Sequence, residues 1–352
     1  MPNRRVFYGV YCVGIATDGS TSYTPIHGLQ SVGITTTFNL EQVFEIGQVN
    51  IYENIEGLPD IEVTMEKVLD GYPPIYILAT RQGTSASLTG RSTPKCLIAM
   101  SVFNDSNDSA SGTPNYEVNM SGMYISSVGW TFPVDGNFTE SATLVGNNKV
   151  WKSSAFTFSG SLFNNLDEPL ALASGLGGVN RREDLLWEPN GSAATGSNYT
   201  ILPGGTAGVA GISSSGTNDV AATYRGAHVQ RIAVNSSLGR TNINELGQRN
   251  PYFRYVEFPI EVTCEVEILS LNGDLVSATE TGVAGSGNNL VDKTIKIVCR
   301  EGTILDLGTR NKLSNVSETA GDATGGNRSV TYTFSNFNFL KVTHIQDPAS
   351  LS

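Results

Sequence analysis

Histidine occurs only three times in the chain, at His27, His228 and His344, far apart in sequence. Cysteine occurs four times, at Cys12, Cys96, Cys264 and Cys299, and never as a Cys-x-x-Cys pair. That spacing offers no zinc framework and is read most simply as buried free thiols in a reducing compartment. No metal and no cofactor is expected. No run of 18 apolar residues is present, so no membrane-crossing helix and no membrane partner is expected. Neither a G-x-S-x-G elbow, an H-E-x-x-H pair nor a G-x-x-x-x-G-K-[ST] loop occurs. Basic residues are scarce, 22 against 33 acidic ones, which leaves a net charge of −11. Such a chain repels nucleic acid, because gripping it needs Lys and Arg to displace counterions from phosphates. A sliding contact with DNA is not excluded by this balance.

Glycine is plentiful, with 38 residues in 352, and only 16% of residues are charged. Long stretches lack an apolar period of 3.6. This texture predicts strands joined by many turns. Arg4 and Arg5 before Val6–Ala16 have the outline of a weak signal peptide. The run holds two tyrosines, two glycines and no leucine, so a first strand is the better reading.

An internal repeat is the most informative feature. Glu45-Ile-Gly-Gln-Val-Asn-Ile-Tyr52 recurs as Glu245-Leu-Gly-Gln-Arg-Asn-Pro-Tyr252, an offset of 200. Pro59 matches Pro259. After a gap of one residue, Ile61-Glu-Val-Thr-Met-Glu66 matches Ile260-Glu-Val-Thr-Cys-Glu265. Eleven of 21 aligned positions are identical, where composition alone gives about one or two. Gln30–Ile34 lies opposite Gln230–Val234, and Cys96–Met100 opposite Ile295–Cys299. A spacing this long marks one domain copied once, not a solenoid. The predicted organisation is a first β-domain over 1–159, a loop-rich insertion over 160–228 and a second β-domain over 229–352. The insertion carries Ser174–Gly178, Gly191–Ser197 and Ser213–Gly216, too poor in apolar residues to offset ordering entropy. Leu185-Leu-Trp187 is a local anchor in it, and Gly321–Asn327 is a second loose patch.

Period-2 alternation is clear in both copies. Ile61, Val63 and Met65 share one face, and Glu62, Thr64 and Glu66 the other. Ile260, Val262, Cys264, Val266 and Ile268 point one way, and Glu261, Thr263, Glu265 and Glu267 the other. A plain solvated sheet face would look like this. Both copies keep their glutamates, however, and in a ring they would form a continuous acidic surface. Further strands are expected at Val6–Ile15, Gln30–Thr37, Ile75–Ala79, Tyr116–Trp130, Asn137–Leu144, Val150–Phe158 and Val330–Val342. Turn signals such as Asp70-Gly71, Asp135-Gly136 and Asn272-Gly-Asp274 punctuate them. The expected class is all-β, a sandwich or barrel in each half.

Asn104–Asp108 lacks the glycine and distal glutamate of a calcium loop and reads as a polar turn. A β-sandwich glycoside hydrolase needs only two carboxylates close in space, and Trp130, Trp151 and Trp187 are sugar-stacking candidates. Core or interface anchoring suits three tryptophans better.

Gly28–Ile34, Phe44–Gln48, Tyr52–Glu56, Leu69–Gly71 and Met123–Glu140 resemble the tail tube (major tail) proteins of tailed bacteriophages. The resemblance covers about 28–155 directly, and the second half through the repeat. The insertion departs from a single-domain tube subunit. The resemblance implies a non-enzymatic virion protein, assembled in the host cytoplasm into rings that stack as a hollow tube for genome ejection. It implies a protruding hairpin or loop, and as partners the tape-measure, terminator and baseplate proteins, with or without a sheath. Two tube-type domains per chain predict three chains in a pseudo-sixfold ring, with a hexamer of the whole chain as the alternative. Glu62, Glu66, Glu261, Glu265 and Glu267 would then face the lumen, where DNA passes without specific binding. The alternative readings are another virion or surface β-protein (capsid, sheath or adhesin component), and less so a glycoside hydrolase.

Overall fold

The computed structural model describes residues 6–104, 110, 112–158, 178–186, 200, 228–248, 250–269, 292–320 and 326–347. The first half contains β1 (Tyr11–Thr17), β2 (Thr24–Pro25), β3 (Leu29–Thr37), β4 (Leu40–Phe44), β5 (Ile51–Glu56) and β6 (Asp60–Val68). Two short helices follow, α1 (Ile75–Ala79) and α2 (Leu88–Ser92). Then come β7 (Cys96–Val102), β8 (Tyr116–Pro133), β9 (Thr139–Gly146) and β10 (Asn148–Lys152). The second half contains β11 (Val229–Ser237), β12 (Arg240–Ile243), β13 (Phe253–Val256), β14 (Glu261–Leu269) and β15 (Lys296–Val298). It ends with β16 (Thr303–Asp306), β17 (Lys312–Thr319), β18 (Ser329–Phe337) and β19 (Lys341–His344). The chain is all-β in class.

Eight strands run edge to edge in the order β3-β6-β9-β8-β11-β14-β18-β17, every neighbour antiparallel. Strand β8 is 18 residues long and serves two sheets. Its second part, Tyr124–Pro133, lies between β9 and β11. Its first part pairs with β7 and β10, and β7 continues to β1 and β2. Gly122 stands between these parts at φ +64, a conformation in which a Cβ meets the following carbonyl.

The apolar positions of the eight strands share one side, as period 2 requires. Val63, Met65, Leu144, Trp130, Val234, Cys264, Val266, Tyr332 and Phe334 belong to one core cluster. Helix α1, β7 and the small sheet β15-β16-β19 supply its other layer through residues such as Ile75, Ile98, Ile297, Leu305 and Val342. The two halves therefore share one sheet and one core. A smaller cluster of Val10, Cys12, Ala99, Val102, Phe103 and Phe158 lies around β1 and β7. All four cysteines are free and buried, as expected.

Several expected strands differ. Ile75–Ala79 is a helix. Five consecutive apolar residues carry no period to choose by, and all five are buried. The helix is held from outside: the Glu140 carboxylate accepts from the N–H of Ile75 at 2.5 Å and of Tyr76 at 2.9 Å. The segment Val330–Val342 breaks at Asn338, which sits at φ +65. Its side-chain oxygen accepts from Ile260 N–H at 2.7 Å, while its own N–H donates to Ile260 O at 2.8 Å. Val150–Phe158 keeps strand pairing only to Lys152. Beyond it, the N–H groups of Thr157 and Phe158 donate to Glu117. Val6–Ile15 begins with a 3-10 turn at Tyr8–Val10 before β1. Most of 160–228, Trp187, Asp105–Asp108 and 321–325 lie outside the described residues.

Candidate functional site: an acidic sheet face and two arms

The repeat is visible in the ladders. A transverse row in the first half reads Ile34–Val63–Leu144–Ile125 across β3, β6, β9 and β8. The matching row in the second half reads Val234–Cys264–Phe334–Leu313 across β11, β14, β18 and β17. A register shift falls at Leu29/Ser31 in β3 and at Val229/Arg231 in β11. Another falls at Ile125/Ser127 in β8 and at Leu313/Asn315 in β17. Bulges this specific are features of a fold, not noise. Before β3, Gly28 (φ +70) accepts from Val68 N–H. Before β11, His228 (φ +48) accepts from Leu269 N–H. At Gly28 a Cβ would stand 2.4 Å from an Asp70 oxygen, so glycine is required in that copy.

These ladders correct one detail of the sequence match. Ile61 pairs with Thr36, and the residue paired with Ser236 is Val262, not Ile260. The β14 counterpart of each β6 residue lies two places further on than the sequence match suggests. A shift of two keeps every side chain on its own face, so the apolar pattern cannot reveal it. Glu66 thus corresponds to Glu267, Thr64 to Glu265, Glu62 to Thr263 and Asp60 to Glu261.

All five predicted glutamates lie on the solvent side of the eight-stranded sheet, opposite the core. Glu62 and Glu66 alternate with buried Ile61, Val63 and Met65. Glu261, Glu265 and Glu267 alternate with buried Val262, Cys264 and Val266. Their cross-strand neighbours are mostly small and polar: Ser31 and Ser141 beside Glu66, Thr333 beside Glu265, Thr331 beside Glu267. Among the described residues of this face the cations are Arg231 and Lys312. Arg231 approaches Glu265 at 3.8 Å with both side chains well exposed, a pair worth little.

Both copies also carry a two-stranded arm, β4-β5 between β3 and β6 and β12-β13 between β11 and β14. The tips match: Gln48 N–H donates to Glu45 O and Gln248 N–H to Glu245 O. Gly47 (φ +107) and Gly247 (φ +83) turn the chain. Ile46 and Leu246 stand at equivalent places on these tips, fully exposed at 104% and 105%. Phe44, Val49, Tyr52 and Tyr252 are exposed nearby.

The buried polar groups serve packing. Lys67 donates to Asp70 and to His27 O, Arg91 pairs with Asp347, and His344 Nε2 lies 3.1 Å from Glu301. Burial pushes Glu140 up to about 7, against the two N–H bonds that favour its charged form. Burial also raises Glu117, but bonds from Thr157, Ser101 and Asn119 outweigh it and leave the group below its ordinary value. A cleft of about 900 Å³ between β1 and β3 is lined by Tyr8, Tyr11, Ile34 and Trp151, with no carboxylate among the described residues of its wall. Trp130 is wholly buried against Tyr76. Among the described residues the paired acids of a glycosidase are absent from this cleft, and Trp130, fully buried, is out of reach of a sugar.

No protein-family model matches the chain, and no curated protein matches it. Solved structures similar to part of it include a chain of the anti-feeding prophage baseplate, 12% identical with a TM-score of 0.34, covering 44% of this chain and 99% of that one. A chain of the anti-feeding prophage tube-terminating cap is 12% identical with a TM-score of 0.33, covering 44% and 95%. A chain of the extracellular contractile injection system PVC sheath–tube complex in its extended state is 14% identical with a TM-score of 0.33, again covering 44% and 95%.

Proposed function

We propose that this chain is a structural subunit of a tail tube, self-assembling into rings that stack around a bore through which DNA is delivered. The observation that carries the reading is the eight-stranded sheet. It holds two four-stranded sets of the same order and bulge positions, joined edge to edge, with an edge left open at each end among the described residues. A unit that joins to its like in a head-to-tail manner builds closed rings or filaments. Closure of such a sheet removes the exposed edges that otherwise invite uncontrolled pairing. Two equivalent sets per chain give three chains in a pseudo-sixfold ring.

The polar side of the sheet faces the bore in this reading. Hydroxyl side chains and the carboxylates of Glu62, Glu66, Glu261, Glu265 and Glu267 repel phosphates with no preference for sequence, so DNA slides without sticking. The apolar tips at Ile46 and Leu246, with Phe44, Val49, Tyr52 and Tyr252 exposed nearby, are surfaces of the kind that mark an interface. They are covered by neighbouring copies in adjacent rings. Tape-measure, terminator and baseplate proteins are the partners of such a tube, and the virion tail is its location. The domain division at 159 and 228 belongs to the same proposal.

Electron microscopy and mass measurement on the purified chain test it. Hollow tubes of uniform diameter, dispersing into particles of three chains, are expected. Monomers at all concentrations, or isolated compact trimers that never stack, would refute it.

A further inference from the structure

We infer that the open β3 edge of one chain receives the open β17 edge of a second copy, in the register of the internal β8–β11 junction. This rests on the ring reading above and adds to it the partner and the register of each edge. Among the described residues β3 pairs only with β6, and β17 only with β18. Inside the chain, the equivalents of those two edges already meet. Strand β11 is the counterpart of β3, β8 is the counterpart of β17, and β8 pairs with β11 over seven positions. The chain thus contains a worked copy of the contact that its two ends lack.

The transverse rows fix the correspondence. Ile34 matches Val234, and Val32 matches Ile232. Ile125 matches Leu313, and Val128 matches Val316 after the shared bulge. Within the chain Ser236 pairs with Val128, Asn235 with Gly129 and Val234 with Trp130. Carried to the ends, Thr36 pairs with Val316, Thr35 with Ser317 and Ile34 with Glu318 of the neighbour. The faces agree. Ile34 and Val316 already pack at the rim of the core, and in this register they lie diagonally across the junction, two positions apart on the same face, so they extend the apolar layer. Thr35 and Ser317 are exposed and extend the hydroxyl-rich acidic face.

The two junctions are not identical in chemistry. Trp130 is fully buried at the internal junction. Glu318, its counterpart, is exposed and bonded to Arg328 at 2.6 Å. The contact between chains is therefore the more polar of the two, as suits a joint made after folding and not during it.

Thiol cross-linking tests the register. Thr35→Cys and Ser317→Cys are combined in one full-length chain, and Thr35→Cys with Asn315→Cys serves as the two-residue slip. The native thiols are buried. Each chain is oxidised under assembly conditions and read on a non-reducing gel, beside mass measurement of the particles. The expected result is covalent dimers and trimers from the first pair, at least tenfold more than from the slipped pair. Equal mixtures of the two single variants should give dimers alone, which also shows that each variant folds and assembles. Equal or greater cross-linking by the slipped pair overturns the register. Three-chain rings without cross-links overturn the edge pairing and leave the tube reading standing. Monomers without cross-links overturn both.

Discussion

Replacing Glu62, Glu66, Glu261, Glu265 and Glu267 together by lysine tests which way the acidic face points. Glu265 and Glu267 stand at i and i+2, ~7 Å apart, whereas Glu62 and Glu66, and Glu261 and Glu265, are four residues and ~14 Å apart with a threonine between them. The first pair repels by about 0.6 kcal/mol in water and each of the others by about 0.3 kcal/mol. The β6 and β14 rows are four strand spacings apart, about 19 Å, which exceeds the Debye length of about 10 Å at 0.1 M salt. Single exchanges are therefore weak, and the five must change together. Each exchange adds two charges, so the chain moves from −11 to −1. A five-glutamine variant separates loss of acid from gain of base. Dispersed subunits of the lysine variant should bind duplex DNA non-specifically. With five phosphate contacts, affinity should fall about 500-fold between 50 and 200 mM salt. Closed-circular DNA is the right probe, because a circle cannot thread a bore. Tubes doped with one lysine chain in ten should leave the circle unbound, while the same chains dispersed should bind it. Doped tubes that hold circular DNA as well as their dispersed subunits do would place the face on the outside and end the lumen assignment.

Three other perturbations follow from the geometry. Glu140 is pushed up to about 7 from 4.5, so the folded state holds this proton more tightly than the unfolded one. Its stabilisation is full below pH 4.5 and is lost as pH rises towards 7, a span of roughly 3 kcal/mol. Urea unfolding across pH 4.5 to 8 should show wild type losing up to roughly 3 kcal/mol relative to Glu140→Gln as pH rises, and a flat difference curve would contradict it. Ile46→Asp combined with Leu246→Asp should leave unfolding within about 0.5 kcal/mol of wild type, since neither side chain is buried. The same variant should still form rings but lose stacking, seen as short or absent tubes by microscopy. Gly122→Ala should destabilise by about 1–2 kcal/mol through its positive φ alone, because among the described residues no atom beyond its own chain neighbours lies within 4 Å of the added Cβ. An unchanged denaturation midpoint would show that β8 does not need its bend there.

The repeat and the alternating strands were legible because period 2 is written directly in residues such as Ile61 to Glu66. The two-residue offset between β6 and β14 was not. Glu66 aligns with Glu265 by identity, yet the ladders, in which Glu66 pairs with Ser31 and Glu267 with Arg231, make Glu267 its counterpart, and only the bulges at Ser31 and Arg231 reveal it. Helix α1 was hidden for a different reason. Its first donors are satisfied by Glu140, 65 residues away, and local sequence carries no trace of that partner. Asn338 broke an expected strand in the same manner, through a bond to Ile260. The outward side of the five glutamates was legible from alternation. The edge junction was missed, since the joining of β8 to β11 depends on residues about 100 positions apart.

Fusing two ring units in one chain changes how the ring would assemble. The β8–β11 junction forms within a chain, so its effective concentration is set by the linking segment and not by how many subunits the cell holds. It can then be as apolar as a core, and Trp130 and Val234 are both fully buried there. The proposed β17–β3 junction would have to wait for a second chain. Until it forms, any large apolar side chain on either edge is exposed and invites indiscriminate pairing. Glu318 and its partner Arg328 stand where the internal joint has tryptophan, and Thr35 and Ser317 stand where a flat apolar edge would aggregate. Half of the contacts around the proposed ring would thus be fixed by folding. The other half would be kept polar enough to form only in register, which is the division of labour that a covalent repeat permits and six separate subunits do not.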